Sequence, residues 1–275
     1  MGIEVVQGSP QTIWCPMEDA VTLYVGGMVM HDTTGPLHGV EPLDAAAGAF
    51  NLTNSDAPFG VVIGTNRKNP VYNTTYNAEY ITSPAAADAH DGASIDYVGV
   101  EGVWAKGDPI PMVKVAIITP CTVLRAPLYA TAYGTAPALL TATAITAAGL
   151  GCTTNAIDFT NEAQMSTIYC RKGANAGSYR ITDTTSTTVH TWTIAMRNEV
   201  AIGDTFVAVP LRFQGFSTVQ FDGAATYLEC DTTPAVAGTN LWGINVLRLD
   251  LSEPGKEYCE FMFGSGHFAY NSPAT

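Results

Sequence analysis

Gly264-Ser265-Gly266-His267 is the nearest approach to nucleophilic chemistry in this 275-residue sequence. A hydrolase elbow needs G-x-S-x-G at a sharp strand-to-helix turn, so that the hydroxyl stands clear of the sheet. No helical pattern follows Ser265, and the four residues read as a glycine-rich bend in a terminal arm. The five histidines (His31, His38, His90, His190 and His267) form no HExxH or H-x-H pattern, which removes the usual basis for a metal hydrolase. His31 with Asp32 and His38, and His90 with Asp88 and Asp91, read as loop clusters whose carboxylates are satisfied by water. Asp222, Glu229 and Asp231 are close along the chain, but a glycosidase needs two acids about 5–10 Å apart across a cleft. Nothing in their spacing separates them from ordinary turn acids. Gly173–Gly177 lacks the Lys-Ser/Thr sequel of a phosphate-cradling loop. The chain is therefore expected to be no enzyme, with no catalytic, metal-binding or cofactor-binding residue assigned and no cofactor.

The six cysteines (Cys15, Cys121, Cys152, Cys170, Cys230 and Cys259) include no pair closer than 18 residues. Zinc and redox sites usually hold a close C-x-x-C-type pair, so buried free thiols are the expectation. Trp14, Trp104, Trp192 and Trp242 fall in separate strand-like segments. Core packing is the ordinary reading for them, and a platform that stacks on sugar rings is the functional one.

Composition narrows the class further. Hydrophobic residues make up 47% of the chain and charged residues 13%, against about 25% charged in an average globular protein. So apolar a chain collapses and is not intrinsically disordered. With 12 Lys and Arg against 25 acids, the net charge is −13. Nucleic-acid binding runs on clustered bases, and no nucleic-acid partner is expected. The opening MGIEVVQGSPQTIWCP lacks the basic start and apolar run of a secretory signal. The charge-free stretch from Ala126 to Ile157 is interrupted by Pro127, Gly134, Pro137, Gly149 and Gly151, and it is no membrane span. Asn51-Leu-Thr53 and Asn73-Thr-Thr75 fit the glycan-acceptor pattern, which a threonine-rich chain meets by chance.

Charge is also unevenly placed. Residues 1–66 hold seven acids (Glu4, Glu18, Asp19, Asp32, Glu41, Asp44 and Asp56) and no Lys or Arg. Such a region either complements a basic partner or serves as a solubilising face.

The elements that must position all of these are strands. Val21–Val25 is β-branched and aromatic, and Gly26-Gly27 allows a bend before Met28–Met30. Phe59–Ile63 reads as a short run buried on both faces. Ile95–Trp104 alternates up to the Gly107-Asp108-Pro109 turn, and Val113–Ile118 follows. Thr167–Arg171 and Ser178–Thr182 flank a hairpin connection at Gly173–Gly177. Thr188–Ile194 alternates strictly, and Gly203–Val209, Gly243–Leu251 and Glu260–Phe263 complete the set. Pro84–Asp91 carries the little helical signal there is. The Ala/Thr/Gly tract after Pro137 reads as a loop or an extra strand, and it marks a division into domains 1–135 and 136–275.

Two stretches resemble virion components of tailed bacteriophages. Val103-Trp-Ala-Lys-Gly-Asp-Pro-Ile-Pro-Met-Val-Lys114, with Leu124-Arg-Ala-Pro-Leu-Tyr-Ala-Thr-Ala-Tyr-Gly134, is similar to the small β module of capsid decoration (cement) proteins. Cys170-Arg-Lys-Gly-Ala-Asn-Ala-Gly-Ser-Tyr-Arg180, with Val200-Ala-Ile-Gly-Asp-Thr-Phe206, is similar to a β-segment of phage structural proteins. The resemblance implies an all-β fold: a β-barrel or β-tulip-like N-terminal domain, then a β-sandwich or barrel domain, with little helix. It also implies a place on the capsid surface of the virion after synthesis in the host cytoplasm. The partners would be the major capsid protein and copies of the chain itself, a trimer being usual. An extended N-terminal arm over about residues 1–16 is expected to lie across neighbouring capsid subunits. Trp14 is its natural anchor, and Ile13, Pro16 and Tyr270 are further interface residues. A tail or baseplate component and a glycan-binding adhesin share these features. The shell-forming capsid protein itself is disfavoured, because no long amphipathic helix is present.

Overall fold

The computed structural model describes residues 2–18, 21–31, 39–43, 58–65, 80–82, 112–128, 140–145, 151–154, 167–172, 175–186, 189–192, 198, 202–209, 211–221, 228–230 and 242–264. Among these residues there is no helix; nearly all regular structure is antiparallel strand. The all-β expectation is met. The segments 84–91 and 95–104, read above as a short helix and a strand, lie outside the described residues.

The chain forms two compact units, whose described residues fall mainly in 1–126 and in 127–220 with 228–263. The first contains β1 (Glu4–Gln7), β2 (Thr12–Pro16), β3 (Thr22–Tyr24), β4 (Met28–His31), β5 (Val40–Pro42), β6 (Pro58–Thr65), β7 (Tyr80–Thr82), β8 (Met112–Ile117) and β9 (Val123–Pro127). Its main sheet runs β2-β8-β6-β4-β5, with β3–β7 and β1–β9 as separate pairs within the unit. Residues 4–7 and 12–16, expected as parts of an extended arm, are strands paired inside this unit.

β-branched residues fill the interior of the sheet because their stiff side chains pack on a pleated surface. Val29, Val40, Val62, Val113 and Val115 gather with Cys15, Met17 and Leu23 into one buried cluster. Beyond β2 the chain turns back on the far edge. Met17 makes a parallel bridge to Val40, and the Glu18 N–H donates to the Val40 carbonyl at 3.1 Å. Close approach of backbone sets two glycines. A Cβ on Gly60 would run into Val115 Cγ1 and into the Ala116 carbonyl oxygen at 2.5 Å. Gly26, at φ +84°, lies against Gly2, and the Ile3 N–H donates to its carbonyl at 2.7 Å.

The second unit contains β10 (Leu140–Ile145), β11 (Gly151–Thr154), β12 (Thr167–Lys172), β13 (Gly177–Ser186), β14 (Val189–Trp192), β15 (Thr205–Val209), β16 (Gly215–Phe221), β17 (Leu228–Cys230), β18 (Trp242–Asp250) and β19 (Tyr258–Phe263). Six of these pair in a ring, β10-β11-β14-β13-β12-β15 and back to β10. The expected hairpin is its β12–β13 pair, with Cys170 opposite Gly177. Beside the ring, β19, β18, β16 and β17 follow one another in a sheet. Along β19, Cys259, Phe261 and Phe263 are buried and their neighbours are not, the period-2 pattern of a strand with one covered face. Phe261 and Phe263 meet edge to face at 5.6 Å.

Arg171 ties β12 to the connection between β18 and β19. Its Nε donates to the Leu251 carbonyl at 2.7 Å and its Nη2 to Glu257 Oε1 at 2.5 Å. The two side chains are only 9% and 7% exposed. Buried charges persist only where they are paired and hydrogen-bonded, and this guanidinium meets both demands by spanning the loop from end to end. A second polar tie holds the start of β13. The buried Asn175 side chain donates to the Asn198 carbonyl and accepts the Asn198 N–H, both at 2.9 Å.

Candidate interaction surface

Three of the four expected interface residues share strand β2. The strand lies at the edge of the first unit's main sheet, with β8 beside it. Ile13 sits opposite Val115, Trp14 opposite Lys114, and Cys15 opposite Val113. Alternation sends Cys15 inward with Val113 and Val115, and burial pushes its thiol pKa up to about 11. Trp14 takes the opposite face, in a row with Lys114 and then Gly64. The indole is 51% exposed, Ile13 is 39% exposed, and Pro16 is half-buried. Tyr270 lies outside the described residues.

An open groove of about 530 Å³ borders this strand on the first unit. Ile3, Glu4 and Val5 of the N-terminal segment, Thr12 of β2, and Val61 and Ile63 of β6 are among its walls. Glu4 is the one charged residue among those lining it. Ile63, 43% exposed, is an addition to the expected surface. The run 59–63 is expected to be buried on both faces, but a register shift between Val62 and Gly64 makes Ile63 the bulge residue and turns it out. The available signal was Gly64, since an isolated glycine in a strand pattern often marks a bulge.

His31 closes β4. Its ring packs at a tilt of 49° against Phe59 with centroids 4.0 Å apart, which shields part of an otherwise exposed side chain. That shielding lowers its pKa from 6.5, partly offset by a backbone hydrogen bond with Gly39. Its expected companions Asp32 and His38 lie outside the described residues. So do Asp88, His90, Asp91, Asp222, Asp231, Ser265 and His267, and the side chain of Glu229. Among the described residues no group of three His, Cys, Asp or Glu converges on a point suited to a metal ion. Cys15, Cys121, Cys170 and Cys259 carry free thiols.

The second unit exposes Ile202, Phe213, Phe216 and Leu247. Phe216 is opposite Asn245, and Asn245 is opposite Met262, so the three form one row across β16, β18 and β19. Beside that row Arg248 pairs with Asp250 at 3.1 Å and lies over the Tyr258 ring at 5.5 Å. Among the described residues no helix is long and apolar enough to cross a membrane. No protein-family model, curated protein or solved structure matches the chain.

Proposed function

We propose that this chain is a non-enzymatic virion structural protein that decorates and stabilises a bacteriophage capsid by binding across neighbouring capsid subunits. The observation that carries the reading is the Trp14 edge: a tryptophan and an isoleucine on one strand, exposed beside a largely apolar groove, on a sheet whose interior is close-packed. Exposed apolar groups clustered in this way mark protein contacts, and a large aromatic is the usual energetic centre of one. In this reading the first unit is a β-barrel or β-tulip-like module, and the six-strand ring of the second unit is a small barrel. The contact comes from a strand of the folded module instead of a free arm. The major capsid protein and further copies of the chain are the partners, and the capsid surface is the location.

The test is co-sedimentation with capsids purified from the source phage and stripped of this chain. The wild-type chain is expected to bind at a fixed stoichiometry, and Trp14→Ala to weaken binding by about 2 kcal/mol, roughly 30-fold. Failure of the wild-type chain to sediment with any capsid removes the reading. Exposed Phe216, opposite Asn245, favours one second reading, a glycan-binding adhesin. Retention on a glycan array with loss on Phe216→Ala would move the assignment there.

A further inference from the structure

The outer face of the first unit's main sheet carries a cation with no acid on its own strand or on either neighbour. Outward side chains fall in rows across β2, β8 and β6: Thr12, Ala116 and Val61 in one, Trp14, Lys114 and Gly64 in the next. The first row lines the groove, and the second continues the same face beyond it. β2 (TIWCP), β8 (MVKVAI) and β6 (PFGVVIGT) contain no acid. Among the described residues of this unit the cations are Lys114 and Arg125, and Arg125 has Glu4 opposite it on β1. Lys114 has an indole on one side and a glycine on the other, and among the described residues no acid pairs with it. Gly64 leaves a notch there, since a Cβ at that position would meet only Lys114 Cβ, at 3.7 Å. A half-buried ammonium between an aromatic and open space attracts an anion more strongly than a fully solvated lysine does.

We infer that this face takes an extended segment of the capsid partner carrying one apolar side chain and, two residues along, a single carboxylate. The apolar group enters the groove over Ala116 and Val61, and the carboxylate meets the Lys114 ammonium beside Trp14. The spacing comes from β8 itself: Ala116 and Lys114 are two residues apart on one face, roughly 7 Å, which is also the repeat of an extended segment laid along the strand. Two features set which group goes where. Glu4 lines the groove and repels a carboxylate from it, whereas nothing acidic stands beside Lys114 on the sheet. The net charge of −13 also disfavours a broadly acidic partner, so the spot selects one carboxylate and not a run of them. A sugar fits the groove poorly. Glu4 and Thr12 are the only polar side chains lining it, and sugar hydroxyls taken out of water need hydrogen-bond partners. The contact uses the face of the sheet and leaves its backbone edges as they are. The inference rests on the decoration reading and deepens it by giving the chemistry of the partner segment.

Two measurements on the full chain test it. In co-sedimentation with stripped capsids, Lys114→Glu is expected to weaken binding at least ~10-fold, and Lys114→Arg to bind like the wild type. Added salt should weaken the wild type more than Lys114→Gln, which has no charge to screen. Melting temperatures show that the variants are folded, and should Lys114→Glu unfold the unit, Lys114→Gln decides in its place. The second measurement needs no capsid. The labelled chain is passed over an array of capped Ser/Thr peptides in which one leucine and one aspartate stand one, two or three residues apart. Retention is expected to be strongest at a separation of two, and to be lost with asparagine in place of the aspartate or with Lys114→Glu in the chain. Retention of no peptide, or retention indifferent to Lys114, overturns the inference, as does Lys114-dependent retention on a glycan array instead. Capsid binding that needs Trp14 but ignores Lys114→Glu overturns the inference alone. Lys114-dependent retention on the peptides by a chain that ignores capsids overturns the decoration reading alone.

Discussion

Gly60 shows how little room the first unit leaves at single positions. Its missing Cβ is occupied space, filled by Val115 and by the backbone of Ala116. Gly60→Ala is therefore expected to cost about 3 kcal/mol, at the upper end of overpacking effects, because a carbonyl cannot turn aside as a side chain can. Urea denaturation at fixed pH measures it. His31 makes a different kind of prediction. Its folded pKa lies below the 6.5 of the unfolded chain, so on acidification the unfolded state takes up the proton first. Stability should fall as pH drops through 6.5 towards the folded pKa, with no further loss from this group below that. Melting temperatures between pH 7.5 and 5 should show the decline in the wild type and a flatter profile in His31→Gln.

At the scale of elements, strands with strong internal pattern were readable and strands defined by their neighbours were not. The segments read as 21–25, 28–30 and 59–63 correspond to β3, β4 and β6, and that read as 113–118 corresponds to β8. The later segments 167–171, 178–182, 203–209, 243–251 and 260–263 correspond to β12, β13, β15, β18 and β19. All carry β-branched or aromatic residues and end at glycine, proline or aspartate. By contrast β1, β5 and β7 are three or four residues long, and no periodicity can show in so short a run. β16 hid because glutamine, serine and threonine share it with apolar residues. Trp14 and Ile13 are exposed, Pro16 is half-buried, and their size and apolar character are what single them out in the sequence. The groove beside them was not legible there, since it joins residues 2–12 to residues 61–63 and depends on a bulge. Arg171 and Glu257 are equally invisible in sequence, being 86 residues apart. Their pairing yields a prediction about how the β18–β19 connection is held. Arg171→Met should destabilise by about 3–5 kcal/mol because it leaves Glu257 buried without its cation. Adding Glu257→Leu should restore most of that loss, since an apolar pair of similar volume replaces a buried ion pair at little cost. Chemical denaturation of the two variants checks both halves.

For the whole molecule, charge governs what it approaches. At −13 the chain is expected to pass through a heparin or immobilised-DNA column unretained at ~50 mM salt, where a polyanion binder with several phosphate contacts would be held. Retention there would reopen the question of a nucleic-acid partner. The parallel bridge from Met17 to Val40 has a consequence for growth. Sheets polymerise into fibres when each added unit exposes a fresh edge like the one just used. Here the outer strand β5 is met by the chain leaving β2, and β5 itself ends in Pro42, which has no N–H to offer. Where the bridge forms, neither outer edge is left open to extend the sheet. The tie that closes the sheet doubles as a chain terminator and keeps this end from running on into filaments.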